Sequence, residues 1–526
     1  ELQAKLVNYR LYKQRDDGSW PLYFGGPCEI NSTVESYAAL KLAGIPADRA
    51  EMVRAREAIW ANGGIQKTRV FTKIFLAMLG QIPWEVCPAV PVEIILFGNW
   101  FPFNIYEMSS WSRGTVVPLS VVMSHKPVFH PPEGRDVKEL FTENDCELVI
   151  QPDGSMFSSW RNFFIALDGF IKFIGKSPWK PFRKMALKKA NQWIEDHQEE
   201  EGDFAGIQPP MINSMLVYHY NGMSKDDPRW VKGWEAIERF LIHREENTNM
   251  QACVSPLWDT AICANALCDS GMSTDHPALV KAGEWILQNQ VTKKGDWIVK
   301  NPHTVPGGWA FEFYNQIYPD CDDTAEILIF LDRVQLPNQA RKLKETERAM
   351  SWLLSMQCGN GGWAAFDIDN DQELLNRVPF ADHGAMLDLP TADVSGRVLW
   401  MLGWVGFKKD YPQVRRLVDF IKNEQESDGS WWGRWGVNYI YGSWLALTGL
   451  KSIGEDMSQP FVRRAMKWYE DHQNEDGGWG ETCTSYKDPS LRGTGESTAS
   501  QTAWAVMGML AGGEAENPAL KRGVEY

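Results

Sequence analysis

The chain repeats one short pattern six times: a helix-like stretch ends in glutamine, and a glycine and a large aromatic residue follow within a few positions. Such a repeat constrains the fold strongly, because each copy is one supersecondary unit that must bury its apolar face against the next copy. An amphipathic helix is predicted before each glutamine and a more apolar helix after each aromatic residue. The six copies are Gln14-Gly18-Trp20, Gln198-Gly202-Phe204, Gln290-Gly295-Trp297, Gln357-Gly361-Trp363, Gln425-Gly429-Trp431 and Gln473-Gly477-Trp479.

The spacing of the copies predicts how the helix pairs are arranged. The tryptophans of the last four copies are unevenly separated along the chain, whereas the repeats of an open solenoid usually keep a more regular spacing. Helix pairs with long insertions that close into a ring therefore fit better. A chain of 526 residues also exceeds one ordinary core, which predicts two domains. The predicted fold class is all-α, with helix-pair repeats that form α/α barrels, that is, double rings of helices.

Composition argues against several kinds of partner and chemistry. The formal charge is −15 and the sequence has no basic stripe with interleaved aromatic residues, which argues against nucleic acid as a partner. The nine cysteines are scattered without zinc-site spacing, so reduced thiols in a cytosolic protein are expected. No apolar run approaches the roughly 18 residues of a membrane-spanning helix. The chain begins and ends inside helical patterns, as expected of a fragment.

Three stretches depart from the pattern of helix pairs. Residues 87–104 and 108–129 are rich in proline and aromatic residues and lack helical periodicity, so connecting structure is predicted there. Residues 160–174 are apolar nearly all round a predicted helix, with lysines close to its end. Such a helix lies either in a core or in a membrane interface, and the sequence alone favours the core.

One acidic motif, Asp320-Cys321-Asp322-Asp323, opens a predicted helix. Aspartate at a helix start commonly caps free N–H groups, and clustered carboxylates also suit Mg²⁺ or Ca²⁺, although the rest of a metal shell is not evident nearby. Three crowded carboxylates in an apolar pocket do not all ionise, so one retains a proton. Aromatic faces stabilise cations. An acid beside aromatic side chains is therefore what protonation of an alkene and control of a carbocation require, without a metal.

The chain resembles bacterial squalene–hopene cyclases over essentially its whole length. The resemblance rests on the repeats, on the motif Asp-x-Asp-Asp-Thr-Ala that starts at Asp320, and on the segments 206–210, 255–260 and 433–439. Each motif alone is unspecific, whereas the set is specific. The resemblance implies an isomerase of the class II triterpene cyclase type that needs no cofactor or metal. It also implies two α/α-barrel domains that flank a central cavity.

The resemblance further implies roles for individual residues. Asp322 would protonate the terminal double bond of squalene, with Asp320, Asp323 and Arg397 beside it. The residues implied to line the cavity are Trp111, Trp258, Phe311, Phe366, Trp435, Tyr441, Ile207, Pro209, Cys253 and Phe380. The polar positions at the far end, where the last cation loses a proton or is hydrated to give hopene or hopanol, are Gln208, Glu35 and Arg69.

The resemblance also predicts the domains and the location of the protein. Residues 21–235 would form one α/α barrel with a membrane-facing helix near residues 155–182. Residues 236–526, together with residues 1–20, would form the catalytic barrel that carries the acid motif. Because the family sits in one membrane leaflet through the matching helix, the resemblance reverses the preference for a core helix. It implies a monotopic protein on the cytoplasmic face of the cell membrane, with squalene as its substrate and a homodimer as one expected assembly.

One residue departs from the family pattern at the acid. The best-known members pair the acid with a histidine, and the matching residue here is Arg397. A permanent cation favours the charged carboxylate and opposes protonation of the substrate, unless a second carboxylate takes up its charge. Asp393, one helical turn before Arg397, and Asp320 are the expected candidates.

Several other functions fit part of the sequence. Oxidosqualene cyclases share the fold but carry a single acid in place of the motif, and other class II terpene cyclases use the motif on a different polyprene. Protein prenyltransferase β-subunits need a zinc site that the sequence lacks. A non-catalytic α/α repeat protein that binds a partner would explain the repeats. It would not explain an acid triplet close to aromatic residues, or an apolar helix with basic flanks.

Overall fold

A computed structural model describes residues 1–141, 159–381 and 385–526. In these ranges the chain is built of α-helices, short 3₁₀ turns and one small antiparallel hairpin. The predicted all-α fold class is confirmed. The chain divides into two compact units: unit 1 comprises Glu1–Val254 and Gln372–Leu387, and unit 2 comprises Ser255–Asp371 and Asp388–Tyr526.

Unit 1 packs its described helices other than α6 around one apolar core. Its described helices are α1 (Leu2–Lys13), α2 (Ile30–Leu42), α3 (Ala50–Ala61), α4 (Val70–Met78), α5 (Ser110–His125), α6 (Trp160–Gly175), α7 (Arg183–Asp196), α8 (Gln208–Tyr220) and α9 (Pro228–Arg239). A hairpin follows α9, in which strand β1 (Leu241–His243) pairs with strand β2 (Thr248–Met250). Helix α1 packs against α2 and β2.

Unit 2 is a regular series of helix pairs around a second core. Its described helices are α10 (Pro256–Asp269), α11 (Pro277–Gln288), α12 (Cys321–Arg333), α13 (Gln339–Ser355), α14 (Ala392–Trp404), α15 (Pro412–Asn423), α16 (Tyr439–Ser452), α17 (Pro460–Asp471), α18 (Ala499–Ala511) and α19 (Pro518–Glu525). The even-numbered helices pack side by side in chain order, and each odd-numbered helix packs on the even-numbered helix before it. The two layers are the double arrangement that helix-pair repeats predict.

The repeat glutamine ties its own turn to the next outer helix. Gln357 Nε2 donates to Gly361 O (2.9 Å) and to Gln413 O (3.0 Å) in the first turn of α15. Gly361 has a φ of +96°, and a Cβ there would lie 2.6 Å from Arg416 O, so the turn requires glycine. Similar pairs of bonds recur from Gln14 to Gly18 and Glu51, from Gln198 to Gly202 and Arg229, from Gln425 to Gly429 and Phe461, and from Gln473 to Gly477 and Ala519.

The repeat tryptophan closes the same turn against two helices. Trp363 Nε1 donates to Leu353 O (2.8 Å) on the preceding helix α13, and the Trp363 backbone N–H donates to Ser395 Oγ (2.9 Å) in the first turn of α14. The equivalent two bonds recur at Trp20, Trp309, Trp431 and Trp479. Because both partners belong to helices, each turn determines where the next inner helix begins.

The structure corrects the third copy of the repeat. Gln290 Nε2 donates to Gly307 O (2.7 Å) and not to the turn at Gly295. Trp309, not Trp297, makes the two closing bonds of the repeat. The chain between Gln290 and Gly307 is an insertion, and Trp297 lies buried within it. The prediction took the first glycine and tryptophan after Gln290, which are Gly295 and Trp297, and both of these residues belong to the insertion.

The prediction of connecting structure is correct for residues 87–104 and wrong for residues 108–129. The first stretch consists of loops and a 3₁₀ helix, Val92–Leu96, whereas the second contains α5. Most of α5 is buried, so its apolar residues form no single stripe that a periodicity analysis detects. Pro118 lies inside α5 and further obscures the helical signal.

Helix α6 turns Asp168 and Lys172 towards the protein and most of its apolar residues outwards. Asp168 Oδ1 accepts the backbone N–H of Ala89 (2.6 Å), and Lys172 pairs with Asp168 (2.8 Å) and donates to Glu85 O (3.1 Å). The exposed apolar side chains of α6 are Trp160, Phe163, Leu167, Phe170, Phe173 and Ile174. The interpretation of this segment as a core helix is therefore wrong. Residues 155–158 of the predicted membrane-facing segment lie outside the described residues.

The compact units group two segments differently from the predicted domains. Helix α1 belongs with unit 1, although residues 1–20 were expected with the acid motif, and Gln372–Leu387 also returns to unit 1. The predicted domain boundaries themselves stay a prediction. In the part of the chain that the structure describes, no helix has the length and apolar content that crossing a membrane needs.

Candidate active site

The acid motif forms the start of α12. The Asp320 backbone N–H donates to Trp309 O (2.7 Å), which anchors the start of the helix to the preceding repeat turn. Asp320 Oδ1 accepts the backbone N–H groups of Asp322 (2.7 Å) and Asp323 (3.2 Å). Asp320 is thus the N-cap, and one of the three carboxylates of the motif serves the helix itself.

Asp322 faces a buried cation. Arg397 Nε on α14 lies 2.8 Å from Asp322 Oδ1, although the N–H is not directed at that oxygen, so the contact is a close ion pair rather than a well-formed hydrogen bond. The two residues are 8% and 2% exposed. Burial raises the pKa of Asp322 to about 7, Arg397 opposes the rise, and the negative charges of Asp393 and Glu326 add to it. A substantial fraction of Asp322 therefore holds a proton at neutral pH.

Arg397 also pairs with a second carboxylate. Its Nη1 lies 2.5 Å from Glu326 Oε2, and its Nη2 donates to Tyr441 OH (3.3 Å). Tryptophan rings surround the guanidinium, with centroid distances of 4.9 Å to Trp258, 5.6 Å to Trp444 and 5.9 Å to Trp400. Aromatic faces stabilise a desolvated cation, which helps to explain how an arginine is accommodated in this interior.

Asp393 does not take up the charge of Arg397, contrary to expectation. Its Oδ2 accepts the backbone N–H groups of Arg434 and Trp435 (2.8 Å each), and its Oδ1 accepts that of Val394 (3.0 Å). Asp393 therefore holds the loop that carries Trp435. Asp320, the other candidate, is engaged as the helix cap.

Glu326 is the site residue that sequence reasoning missed. It follows Asp322 by one helical turn on α12, and this i, i+4 spacing was the available signal. Its Oε1 accepts from Asn265 Nδ2 (2.9 Å) on α10, while its Oε2 contacts Arg397. Trp400, Trp444 and Asn265 were missed for a different reason: their role depends on how neighbouring helices pack.

The remaining carboxylates of the motif are deeply buried. Burial raises the pKa of Asp320 and of Asp323 well above the usual range, and repulsion within the triplet adds to both rises. Asp320 faces backbone N–H groups while Asp322 faces Arg397, so the carboxylates diverge. Among the described residues, no group of three or more His, Cys, Asp or Glu side chains is arranged to hold a metal ion.

Two of the predicted cavity aromatics meet in unit 2. The rings of Phe366 and Trp435 lie edge to face with centroids 6.0 Å apart. The Phe366 backbone N–H donates to Asp388 Oδ2 (2.7 Å), so buried aspartates hold the loops of both aromatic residues. Phe311 is half-buried in the loop that leads to Asp320. With Trp258 and Tyr441 at Arg397, unit 2 contains the acid motif and five of the predicted aromatic residues.

The three residues of the predicted polar end lie in unit 1: Glu35 is on α2, Arg69 immediately precedes α4, and Gln208 begins α8. Thr72 Oγ1 donates to Glu35 Oε1 (2.6 Å). Desolvation by surrounding protein raises the pKa of Glu35, while Thr72 and Arg69 oppose the rise; the side chain nevertheless remains accessible to solvent. Gln208 begins α8, and its backbone N–H donates to Ala252 O (3.0 Å).

The other predicted lining residues are also in unit 1. Trp111 on α5 donates through Nε1 to Ala385 O (2.7 Å). Phe380 is half-buried in the same returning segment as Ala385. The remaining three lie at or next to the start of α8 and after β2: Ile207, Pro209 and Cys253. Their predicted contact with substrate stays a prediction.

A helix-pair fold with a buried, protonatable aspartate among aromatic rings defines a class II terpene cyclase. Family models for the squalene-hopene cyclase N-terminal and C-terminal domains match residues 1–246 and 254–526. The chain belongs to the squalene–hopene cyclase family. The predicted family, and with it the prediction of a cyclase of this type that isomerises a polyprene, is confirmed.

Relatives of the chain extend over nearly its whole length. It is 44% identical to the squalene–hopene cyclase of Alicyclobacillus acidocaldarius, over 99% of this chain and 82% of that protein. It is 41% identical to the dammaradiene synthase of Dryopteris crassirhizoma, over 99% of this chain and 79% of that protein. Among solved structures, ent-copalyl diphosphate synthase from Streptomyces platensis aligns with a TM-score of 0.50 at 16% identity, over 99% and 84%, which supports the fold alone.

Proposed function

We propose that the chain catalyses the metal-free, proton-initiated polycyclisation of squalene to hopene, hopanol or both, with Asp322 as the Brønsted acid. The observation that carries the proposal is the buried Asp322 with its pKa raised to about 7, beside a cation and aromatic rings. Squalene is a hydrocarbon without a leaving group, so protonation of an alkene is the reaction that an acid in an apolar site can start. An acid that still holds its proton near neutral pH meets that requirement.

The first step moves one proton and one electron pair. The terminal double bond takes the proton of Asp322, and a tertiary cation forms at the neighbouring carbon. Arg397 lies 2.8 Å from the oxygen of Asp322 and stabilises the carboxylate that remains. Asp320 supports the site by fixing the start of α12, while burial and repulsion from Asp320 and Asp322 raise the pKa of Asp323 well above its usual range.

The later steps form rings as each double bond attacks the cation before it. Aromatic faces stabilise such cations by about 0.5–2 kcal/mol each, and by more in a desolvated site. The aromatic residues of unit 2 to which we assign this role are Trp258, Phe311, Phe366, Trp435 and Tyr441. The residues of unit 1 to which we assign contact with substrate are Trp111, Ile207, Pro209, Cys253 and Phe380.

The last cation either loses a proton to give hopene or takes up water to give hopanol. We assign this step to Glu35, Arg69 and Gln208. The raised pKa of Glu35 and its accessibility to solvent support a group that exchanges protons with water. Thr72 orients the Glu35 carboxyl.

Product analysis tests the proposal. Squalene is incubated with the protein in EDTA, and products are identified by gas chromatography with mass spectrometry, with Asp322→Asn as the matched control. Pentacyclic hopene or hopanol from the unchanged protein, absent with the control, is the expected result. A tetracyclic dammaradiene as the main product would favour the second candidate function, which the 41% identity to the Dryopteris crassirhizoma enzyme supports. Equal turnover by Asp322→Asn would contradict the role of Asp322.

We further propose that α6 holds the protein on one leaflet, at the cytoplasmic face of the cell membrane. The outward apolar face of α6 supports this location, since a helix facing water would expose its polar side. Ring contacts continue from Phe164 to Phe103 and Phe101, next to the exposed Phe97 and Trp100, so the apolar surface extends beyond α6. A homodimer is part of the proposal, and light scattering in detergent tests it.

Vesicle flotation tests the membrane proposal with two matched triple variants. Phe163, Phe170 and Phe173 are exposed on α6, and their replacement by glutamine removes roughly 1.5–3 kcal/mol of transfer free energy each. The control replaces three side chains exposed elsewhere: Leu22, Phe24 and Leu343. We expect the first variant to leave the vesicle fraction and the control to stay there. Flotation of both variants would place the membrane contact elsewhere. Phe164 is excluded from the test because it is buried.

A further inference from the structure

Glu326 occupies a position in the acid site for which the family resemblance implies no role. We propose that Glu326 is a positioning residue that takes up the charge of Arg397, so that Asp322 is free to hold the proton it donates. The inference rests on the proposed role of Asp322 as the acid. Glu326 acts through Arg397 and is not itself assigned a contact with substrate.

Both oxygens of the Glu326 carboxylate are fixed. Oε2 contacts Arg397 Nη1 at 2.5 Å, and Oε1 accepts from Asn265 Nδ2 at 2.9 Å. Asn265 Oδ1 accepts in turn from Arg333 Nη1 (3.4 Å), which orients the amide with its NH₂ group towards Glu326. Glu326 is 4% exposed, so water cannot replace these partners freely. The carboxylate is held on the side of the guanidinium away from Asp322 Oδ1, which contacts Nε.

The net charge of the group explains why this matters. With Arg397 and Glu326 both ionised, a protonated Asp322 leaves the three residues neutral in total. Without the Glu326 charge, a protonated Asp322 would leave Arg397 with no paired carboxylate charge, and loss of the proton would restore one. Arg397 would then hold Asp322 as a carboxylate, and the acid would lack its proton at neutral pH.

The other titratable groups that the structure describes around Asp322 place no further carboxylate against the Arg397 guanidinium, although the charge of Asp393 also raises the pKa of Asp322. Those contributed by α12, by the loop before it, by α14 and by α16 are Asp320, Asp323, Glu312, Asp393 and Tyr441. Asp320 caps the helix, and Asp393 binds backbone N–H groups. Of the described carboxylates, Glu326 and Asp322 are the ones that pair with Arg397.

A set of three variants separates this role from a purely structural one. Glu326→Gln keeps the shape and an acceptor for Arg397 but removes the charge. Arg397→Met removes the cation and leaves an unbranched apolar side chain among the tryptophan rings, and the double variant removes both charges. Squalene turnover is measured from about pH 5 to 9, and thermal unfolding is recorded for each protein. Glu455→Gln is the control, because Glu455 is also buried and pairs with Lys409 and Lys422.

The direction of each shift follows from the sign of the charge removed. We expect the activity of the unchanged protein to fall as the pH rises through about 7, where Asp322 would lose its proton. In Glu326→Gln we expect this fall in activity, the limb of the pH profile, to move to a pH about 1–3 units lower, so that turnover at neutral pH drops about fivefold or more and recovers in acid. In Arg397→Met the fall in activity moves to a higher pH, and in the double variant it returns close to the pH of the unchanged protein. Glu455→Gln alters the unfolding temperature and leaves the limb in place.

The outcomes that overturn the inference are distinct from failure of the proposed function. A Glu326→Gln protein that folds and keeps an unmoved limb overturns it, and so does one that is inactive at every pH. If Glu326→Gln does not fold, Arg397→Met and the double variant decide, and an unmoved limb in Arg397→Met overturns the inference. Activity of Asp322→Asn would instead show that the acid itself was misassigned.

Discussion

Helices α12 and α14 begin in the same register and use their aspartates differently. Each helix follows a repeat turn, and the backbone N–H of the turn's tryptophan donates to a hydroxyl in the first turn of the helix. Trp309 donates to Thr324 in α12, and Trp363 donates to Ser395 in α14. Two residues before that hydroxyl, α12 carries Asp322 and α14 carries Asp393. The two aspartates therefore occupy equivalent positions in successive repeats.

The partners of the two aspartates differ. Asp393 accepts the backbone N–H groups of Val394, Arg434 and Trp435 and the hydroxyl of Thr391. Asp322 faces the guanidinium of Arg397. Saturation with N–H donors makes an aspartate an anchor for a loop, whereas an aspartate that lacks them can carry a proton. The repeat places an aspartate at the same position in both helices. The number of N–H donors around that aspartate determines whether it anchors a loop or can hold a proton.

The equivalence continues one helical turn later. Glu326 follows Asp322 by four residues, and Arg397 follows Asp393 by four residues. These two positions carry opposite charges and pair between α12 and α14, with Arg397 Nη1 at 2.5 Å from Glu326 Oε2. The acid site thus uses the same two positions from each of two neighbouring repeats.

The same isosteric change at the two aspartates should have its largest effect at Asp322. Asparagine keeps the shape of Asp322 but cannot donate the proton as an acid, so we expect turnover of squalene to fall by at least about 10³-fold. The unfolding temperature should change little, because Asp322 makes no helix cap. Single-turnover kinetics and thermal unfolding are the measurements. If Asp322→Asn keeps turnover within tenfold of the unchanged protein, Asp322 does not act as the acid and does not differ from Asp393 in that way.

The pH dependence sharpens the comparison at Asp322. Burial raises the pKa of this group to about 7, so the donating form is present below that pH and is lost as the pH rises through it. We expect turnover to fall roughly tenfold per pH unit above that limb. The check is a pH profile under saturating substrate, with stability measured at each pH. A profile that is flat to pH 9 would exclude a titrating acid with this pKa.

Asp393→Asn should change the products more than the rate. An amide NH₂ in place of Oδ2 would face the N–H groups of Arg434 and Trp435 instead of accepting from them, which loosens the loop of Trp435. We expect a loss of turnover within about tenfold, well short of the loss at Asp322, together with a larger share of incompletely cyclised products. Gas chromatography of the product mixture measures this. An unchanged product pattern would mean that Asp393 does not position Trp435.

Removal of divalent metal should have the smallest effect. The carboxylates of Asp320 and Asp322 face different partners, so the triplet is not poised to share an ion. We expect turnover in EDTA to stay within about twofold of the untreated protein. A loss that Mg²⁺ restores would show that the motif binds metal and that its aspartates are ligands.

Much of the fold and part of the site could be predicted from the sequence, because they depend on local patterns. The repeat turns encode the helix pairs directly, and the motif at Asp320 pointed to a buried aspartate cluster by its own residues. The errors arose where packing decides. Helix α5 is buried on most sides and has no stripe, and the insertion after Gln290 separates that glutamine from its glycine. Glu326 follows Asp322 by four residues, which the sequence shows, but its partner Arg397 lies on another helix, which the sequence does not show.

The bond from Gln290 to Gly307 has a consequence for how such a chain can diversify. The glutamine reaches a carbonyl at a fixed place in space, and it does so across four residues at Gln357 and across seventeen at Gln290. Extra chain can therefore enter between the glutamine and the glycine without displacing the helices on either side. The lengthened loop in this chain contacts the segment that leads to α12, where the Tyr318 hydroxyl donates to Asp296 Oδ2 (2.9 Å). Evolution can thus vary the surroundings of the reaction by insertion at a turn while the helical layers stay the same.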